Sequence, residues 1–208
     1  LVGGSAITMA NWINDVDSII MAWYAGENGG NGFADILFGE ENPAGRLPIT
    51  FPVDEAQCPL YYNNKPTGRG DNYHNLTGQP LFPFGYGLSY TNFEYSNLEF
   101  SKNNISSDET VQVTCTVKNN GAISGDEVVQ LYIRDELASV SRPIKELKGF
   151  TRIHLKAGES KKVSLELTPA ALSMLDKDLN RVVEAGDFKI MIGASSKDIR
   201  LRGILNVK

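Results

Sequence analysis

The stretch that decides the fold is residues 26–39, which read GENGGNGFADILFG. An apolar run at residues 18–24 precedes it, and because that run lacks period-2 alternation it predicts a strand buried on both faces. The glycine-rich turn leads into a short helical pattern that stops at Gly39 and carries three apolar side chains on one side: Phe33, Ile36 and Leu37. Strand, turn and helix together predict one step of an α/β sheet.

Glu27 and Asn28 lie in the turn itself. In α/β sheets the loop after the carboxyl end of a strand lines the ligand crevice, so these two side chains are candidate binding residues. A phosphate cradle is disfavoured, because no Lys-Ser/Thr pair and no dinucleotide-type glycine pattern with a downstream acid follows the glycines. A purely structural glycine turn and a turn that also lines a crevice both stay open.

Composition excludes several classes of function. The chain has 208 residues and a formal net charge of -5, with no basic patch, so we expect no nucleic-acid partner. No apolar run approaches the roughly 20 residues that span a bilayer, so we expect no membrane span. Cys58 and Cys115 are predicted to be free thiols or inert core residues, with a disulfide as the lesser alternative. His74 and His154 are too few and too far apart to predict a metal site, and we expect no cofactor.

The first section, residues 1–58, supplies about two parallel strands, at residues 1–2 and 18–24. A parallel sheet needs several strands and helices on both faces before it buries itself. We therefore expect this section to be the C-terminal end of a larger α/β domain. Residues 59–92 then combine recurring prolines and glycines with tyrosines, which predicts an ordered linker that wraps a neighbouring domain.

From residue 93 onward the hydrophobic period becomes 2. Turn signals separate about seven predicted strands, so residues 93–208 are expected to form an all-β, fibronectin type III or immunoglobulin-like sandwich. Its larger aromatic side chains, Tyr132, Phe150 and Phe188, lie in core-like patterns. The fold class is thus α/β, a partial parallel sheet with helices, followed by an all-β sandwich.

Four motifs give this chain a family resemblance. The turn at residues 26–39 continues into NPAGRLP at residues 42–48, and the remaining motifs are PLYYNNKPTGR at 59–69, FPFGYGLSYTNF at 82–93 and RPIKELKGF at 142–150. Together they resemble the end of the second domain, the linker and the fibronectin type III-like third domain of glycoside hydrolase family 3. The nearest likeness is to three-domain bacterial β-glucosidases, with β-xylosidases as close relatives.

The resemblance implies a retaining glycosidase that hydrolyses terminal β-D-glucosyl, or xylosyl, residues from oligosaccharides. Retention needs two carboxyl groups roughly 5 Å apart. The family's catalytic aspartate and glutamate both lie at positions before Leu1, so we expect no catalytic residue in this chain, and no activity from it alone. Its expected partners are the upstream barrel and α/β portion of the same enzyme and an oligosaccharide; homo-oligomer formation is open, and the expected location is periplasmic or secreted, in a bacterium.

The resemblance also bears on the candidate sites. Where the family often has Gln, this chain has Glu27, whose carboxylate can accept hydrogen bonds from two sugar hydroxyls. For Tyr62, Lys65 and Arg69, interdomain packing is favoured over a role at the substrate entrance. The alternative to the whole interpretation is a non-catalytic sandwich module that binds carbohydrate or protein.

Overall fold

A computed structural model of the chain describes residues 1–67 and 71–208. Its helical elements are a 3₁₀ turn at Ile13–Asp15, helix α1 at Gly29–Phe38, a second 3₁₀ turn at Glu55–Gln57 and helix α2 at Pro169–Leu172. Its strands are β1 (Phe93–Phe100), β2 (Asn104–Ile105), β3 (Val111–Asn119), β4 (Gly125–Asp135), β5 (Glu146–Leu155), β6 (Ser160–Leu167), β7 (Met174–Leu175), β8 (Arg181–Val182), β9 (Gly186–Gly193) and β10 (Ile199–Val207).

Helix α1 forms where the sequence predicts a helix, and it ends at Gly39. That glycine has a φ of 80°, and its backbone N–H donates to the carbonyl oxygen of Ile36 at 3.2 Å. The left-handed conformation costs glycine nothing, so it stops the helix cleanly. The helix buries none of its residues fully within this chain, and Phe38 is 84% exposed.

The two strands predicted near the N-terminus are not found as strands, and this part of the prediction is wrong. Residues 1–2 and 18–24 run side by side through two backbone hydrogen bonds, from Leu1 N to Ile20 O and from Ala22 N to Leu1 O, each 2.8 Å long. This pattern is one bridge of a parallel pair. A single bridge, with no further neighbouring strand among the described residues, is too little pairing to make a ladder.

Residues 93–208 form the predicted β-sandwich. One sheet has three strands in the order β1-β3-β6, and the other has five in the order β2-β10-β9-β4-β5. The larger sheet is mixed, because β2 pairs with β10 in parallel while the other pairs are antiparallel. Strands β7 and β8 form a separate hairpin. The fold class predicted from the sequence is confirmed at this level.

The core lies between the two sheets and follows the period-2 pattern of the strands. Strand β3, for example, buries every second side chain from Val111 to Val117. Tyr132 and Phe188 are buried as predicted, but Phe150 is 66% exposed. Along β5, Phe150 is exposed in step with Arg152 and His154, while Ile153 and Leu155 are buried. Phe150 therefore lies on the outer face, and its prediction as a core residue is wrong.

The segment before β1 is fastened to the sandwich by polar contacts. Asn42 donates through its side-chain amide to Ser124 O at 3.0 Å and accepts from the Ser89 hydroxyl at 2.9 Å. Gln130, buried on β4, donates to the carbonyl oxygens of Gly85 at 3.2 Å and Ala194 at 2.6 Å. These contacts bring the 42–51 and 81–90 segments onto the end of the larger sheet.

Candidate functional site

The Gly26–Gly30 turn presents Glu27 and Asn28 to solvent. Asn28 occupies the N-cap position of α1, and its side chain makes no capping hydrogen bond. Its backbone carbonyl accepts from Gly32 N at 3.1 Å, as the first hydrogen bond of the helix. The structure thus places both predicted residues next to each other on an open turn, apart from the cavities described below.

A cavity of about 550 Å³ lies between the linker and the sandwich. Linker residues form most of its wall, and the sandwich contributes four: Ile144, Lys145, Ser196 and Lys197. This volume falls within the range typical of small-molecule sites. Tyrosines, side-chain amides and lysines line it together: Tyr61, Tyr62, Tyr73, Gln57, Asn64, Asn72, Gln79, Lys145 and Lys197.

Tyr62 is held rigidly at the edge of this linker cavity. Its ring stacks on Phe84 with centroids 4.2 Å apart, and it meets Tyr132 edge to face at 5.9 Å. Its hydroxyl oxygen accepts a hydrogen bond from the backbone N–H of Leu147 at 3.2 Å. These contacts join linker to sandwich, which is the packing role that the sequence favours, while the ring still lines the cavity.

Lys65 and Arg69 differ in how the structure places them. Lys65 is exposed and does not line the linker cavity. Arg69 lies outside the described residues. Of the two described residues among those predicted at a substrate entrance, Tyr62 lines a cavity wall and Lys65 does not.

Lys145 is the most unusual charged group in the linker cavity. Its ammonium is half-buried and donates to the carbonyl oxygen of Ser196 at 2.6 Å. Burial lowers the pKa of Lys145, and the nearby charges of Lys197 and Arg202 lower that pKa further. No pattern in the sequence singled out this lysine, which lies within the RPIKELKGF motif at residues 142–150.

A second cavity, of about 220 Å³, surrounds a buried ion pair. Arg46 Nη2 donates to Glu127 Oε1 at 2.8 Å, and the two side chains are 9% and 3% exposed. Arg46 Nε and the hydroxyl of Tyr95 are buried and find no hydrogen-bond partner among the described residues. The raised pKa of that hydroxyl follows first from burial and then from the Glu127 carboxylate. No local pattern in the sequence predicts this pair, because its members are 81 positions apart.

The described ranges hold neither a candidate metal cluster nor a helix that could cross a membrane. No group of three or more His, Cys, Asp or Glu side chains there could hold a metal ion. No helix in residues 1–67 or 71–208 has the length and apolar character needed to cross a bilayer. Cys58 and Cys115 are free, as predicted, with Cys58 exposed and Cys115 buried. Burial raises the pKa of the Cys115 thiol to about 11, so it is inert.

Comparison with known proteins identifies both halves of the chain. The family model described as glycosyl hydrolase family 3 C-terminal domain matches residues 1–90, and the model of a fibronectin type III-like domain matches residues 127–196. A solved β-glucosidase structure from Erythrobacter marinus superposes with a TM-score of 0.95 at 39% identity, covering 100% of this chain and 27% of its own.

Three curated relatives agree with this match. A β-glucosidase of Bacteroides ovatus is 41% identical over 96% of this chain, and a β-xylosidase of Formosa agariphila is 42% identical over 100% of it. A periplasmic β-glucosidase of Salmonella typhimurium is 39% identical over 96% of the chain, which covers 28% of that relative. The chain spans 29% of the length of the first two. It therefore belongs to glycoside hydrolase family 3 and corresponds to the C-terminal domain and the fibronectin type III-like domain of that family's β-glucosidases.

Proposed function

We propose that this chain is the C-terminal portion of a retaining β-glycosidase that releases terminal β-D-glucosyl, or xylosyl, residues from oligosaccharides. The observation that carries the proposal is the end-to-end likeness to a solved β-glucosidase, with a TM-score of 0.95 over 100% of the chain. Relatives named for glucosidase and for xylosidase activity match to the same degree. Both sugars therefore stay within the proposal.

The catalytic aspartate and glutamate are proposed to come from the portion of the enzyme upstream of this chain. An exposed apolar face offers a docking surface for that portion. It includes Tyr24, which is 79% exposed, together with Leu37 and Phe38 on helix α1. Tyr90 lies beside it and donates from its hydroxyl to Ile36 O at 2.8 Å. Single exposed apolar residues are ordinary, but a contiguous group around one helix indicates a covered surface.

Glu27 and Asn28 are proposed to face the sugar crevice from the open turn before α1. In the same scheme Tyr62, Lys65 and Arg69 belong to the linker near the substrate entrance. The boundaries proposed for the three parts are residues 1–58, 59–92 and 93–208. A periplasmic or secreted location is proposed because one relative carries that location in its name.

The test is hydrolysis of aryl β-glucosides and aryl β-xylosides by this chain alone and by the chain joined to its upstream portion. We expect activity only with the upstream portion present, and the ratio of the two rates identifies the sugar. Activity of the chain alone contradicts the proposal, as does an inactive joined protein that is folded.

A second experiment addresses the open turn in the joined enzyme. We expect Glu27→Ala and Asn28→Ala to raise KM more than they lower kcat, because uniform binding contacts are lost. Glu40→Gln is the matched control, since Glu40 is an exposed acid just beyond the end of α1. Equal kinetics for all three variants would remove Glu27 and Asn28 from the site.

The alternative is a non-catalytic module that binds carbohydrate or protein. One observation favours it: Phe150 is exposed on an edge strand of the larger sheet, where an aromatic side chain can act as a binding platform. Oligosaccharide binding by the chain alone that Phe150→Ala abolishes would support this alternative.

A further inference from the structure

Two lysines reach the linker cavity from the sandwich side. Lys145 lies just before β5, and Lys197 lies in the turn between β9 and β10. Lys197 Nζ donates to Gln79 Oε1 at 2.6 Å, while Lys145 Nζ donates to Ser196 O at 2.6 Å. Both ammonium groups therefore donate to neutral oxygen atoms and not to carboxylates.

A third cation, Arg202, adds to the positive charge around Lys145. Its guanidinium donates to the carbonyl oxygen of Ile199 at 3.2 Å. Among the described residues, none of the three cations forms an ion pair with a carboxylate. The lowered pKa of Lys145 has the same origin, because burial and two neighbouring cations oppose its charge. A half-buried cation in such surroundings is stabilised by an added anion.

The opposite wall of the cavity suits a sugar ring. Tyr61 and Tyr73 line it and keep 65% and 56% of their surface exposed, so they can pack on the apolar face of a pyranose. The side chains of Asn72 and His74 lie on the same wall and can exchange hydrogen bonds with hydroxyl groups. Asp71 is the one carboxylate in the described lining, and it belongs to this linker wall.

We propose that the linker cavity binds a saccharide that carries an anionic group, with Lys145 and Lys197 pairing the anion and Tyr61 and Tyr73 packing on the ring. The anionic group is a carboxylate, as in a uronic acid, or a sulfate ester. This site lies apart from the open turn at Glu27 and Asn28, and it requires binding without hydrolysis. The inference thus goes beyond the proposed glycosidase function and is tested separately from it.

The test compares two disaccharides that differ by one carboxylate. Cellobiose and cellobiouronic acid are titrated into the 208-residue chain, and binding is measured by calorimetry and by NMR shifts. We expect the acidic sugar to bind at least about tenfold more tightly, a difference near 1.4 kcal/mol. We also expect added salt to reduce this preference, because ionic attraction is screened.

Glucose 6-sulfate and inorganic sulfate form the other arms of the titration. Tighter binding of glucose 6-sulfate than of cellobiouronic acid identifies the anion as a sulfate ester and supports the proposal. Inorganic sulfate that binds as tightly as either sugar overturns it, because the ring then contributes nothing.

Substitutions of the two lysines test whether the linker cavity is the binding site. We expect Lys145→Gln and Lys197→Gln together to abolish the preference for the acidic sugar, while Lys145→Arg retains it. Lys161→Gln is the matched control, since Lys161 is an exposed lysine on β6 that does not line the cavity. Far-UV circular dichroism checks that each variant is folded. The proposal is overturned if neither cellobiouronic acid nor glucose 6-sulfate binds more tightly than cellobiose, if neither anionic sugar binds at millimolar concentration, or if the preference for the anionic sugar survives in the double variant.

Discussion

The two regions of this molecule are held together by different means. The sandwich encloses a single core cluster that runs from Phe93 to Val207. In residues 1–92, by contrast, the buried hydrophobic side chains of the described part are Met9 and Phe51. Hydrophobic burial is the main source of folding free energy, so the sandwich stabilises itself, whereas the first region depends on the polar contacts that fasten it to β4.

The tryptophans make this difference measurable. Both Trp12 and Trp23 lie in the first region, so their fluorescence reports that region alone, whereas far-UV circular dichroism reports mainly the strands. The predictions below use these two signals, and they run from the largest expected effect to the smallest.

The largest effect is expected from the core of the sandwich. Phe188 is 1% exposed, and Phe188→Ala should lower the free energy of unfolding by about 4 kcal/mol, through lost burial and a new cavity. Urea denaturation followed by circular dichroism measures this. Leu37→Ala on the exposed side of α1 is the control, for which we expect a change within about 0.5 kcal/mol. Comparable losses in the two variants would contradict the contrast between the regions.

The buried ion pair between the regions should give the next largest effect. Glu127→Gln leaves the Arg46 charge buried without a counter-ion, and we expect a loss of about 3 kcal/mol. Because Arg46 belongs to the first region, the fluorescence transition should move to lower urea than the circular dichroism transition. The double variant Arg46→Met/Glu127→Gln should recover part of the loss, since no charge remains unpaired. An additive double variant would show that the pair is not coupled.

A smaller loss is expected where the linker crosses the sandwich. Gly85 has a φ of 81°, and a Cβ added there would meet Gln130 Oε1 at 2.2 Å. Gly85→Ala should therefore lower the free energy of unfolding by about 2 kcal/mol. Gly158→Ala is a matched control, because Gly158 has a φ of 76° with nothing within 4 Å of the added Cβ. The difference between the two variants, about 1 kcal/mol, isolates the contact with Gln130, and equal losses would show that the contact relaxes freely.

The smallest effect concerns a surface cluster on the sandwich. Asp126 accepts from Arg152 Nε at 2.6 Å and lies 2.6 Å from His154 Nδ1. Burial tends to raise the pKa of Asp126, but the hydrogen bonds with His154 and Arg152 outweigh burial and hold that pKa below its ordinary value of 3.8. The ionised carboxylate therefore stabilises the folded state above about pH 3.8, and this contribution is lost as the pH falls through the lower folded-state pKa.

Asp126→Asn should accordingly cost about 0.5 kcal/mol at pH 7, because both partners are mostly exposed to solvent. The difference from the parent chain should disappear below pH 3.8. Thermal unfolding over a pH series measures this, and a difference that persists at low pH would assign the effect to something other than the charge.

Sequence patterns predicted the sandwich better than the first region, for a physical reason. Period-2 alternation is a local signal, and it located strands such as β3 and β6 because their own side chains fill the core. The stop of α1 at Gly39 is equally local. Phe150 was wrongly assigned to the core because it is apolar, although it shares the outward phase of Arg152 and His154 and not that of the buried Ile153 and Leu155.

The candidate sites were harder to predict, because most of their residues are distant in the sequence and meet only in the folded chain. Glu27 and Asn28 could be named from the turn that holds them, but Lys145 and Lys197 come together only when β5, β9 and β10 assemble in the larger sheet. The Arg46–Glu127 pair likewise has no local signature. Residues 18–24 look like a buried strand because they are apolar, yet pairing requires neighbours, and one bridge is all that the described chain supplies.

The polar contacts between the first region and the sandwich can form only in a certain order during synthesis. Arg46 leaves the ribosome 81 residues before Glu127, and β10 must emerge before β2 and β9 gain the strand that lies between them. Until Glu127 emerges the nascent first region lacks its counter-charge, and until β10 emerges it lacks the completed larger sheet. Residues 1–92 therefore remain accessible to chaperones that bind nascent chains until β9 and β10 have emerged.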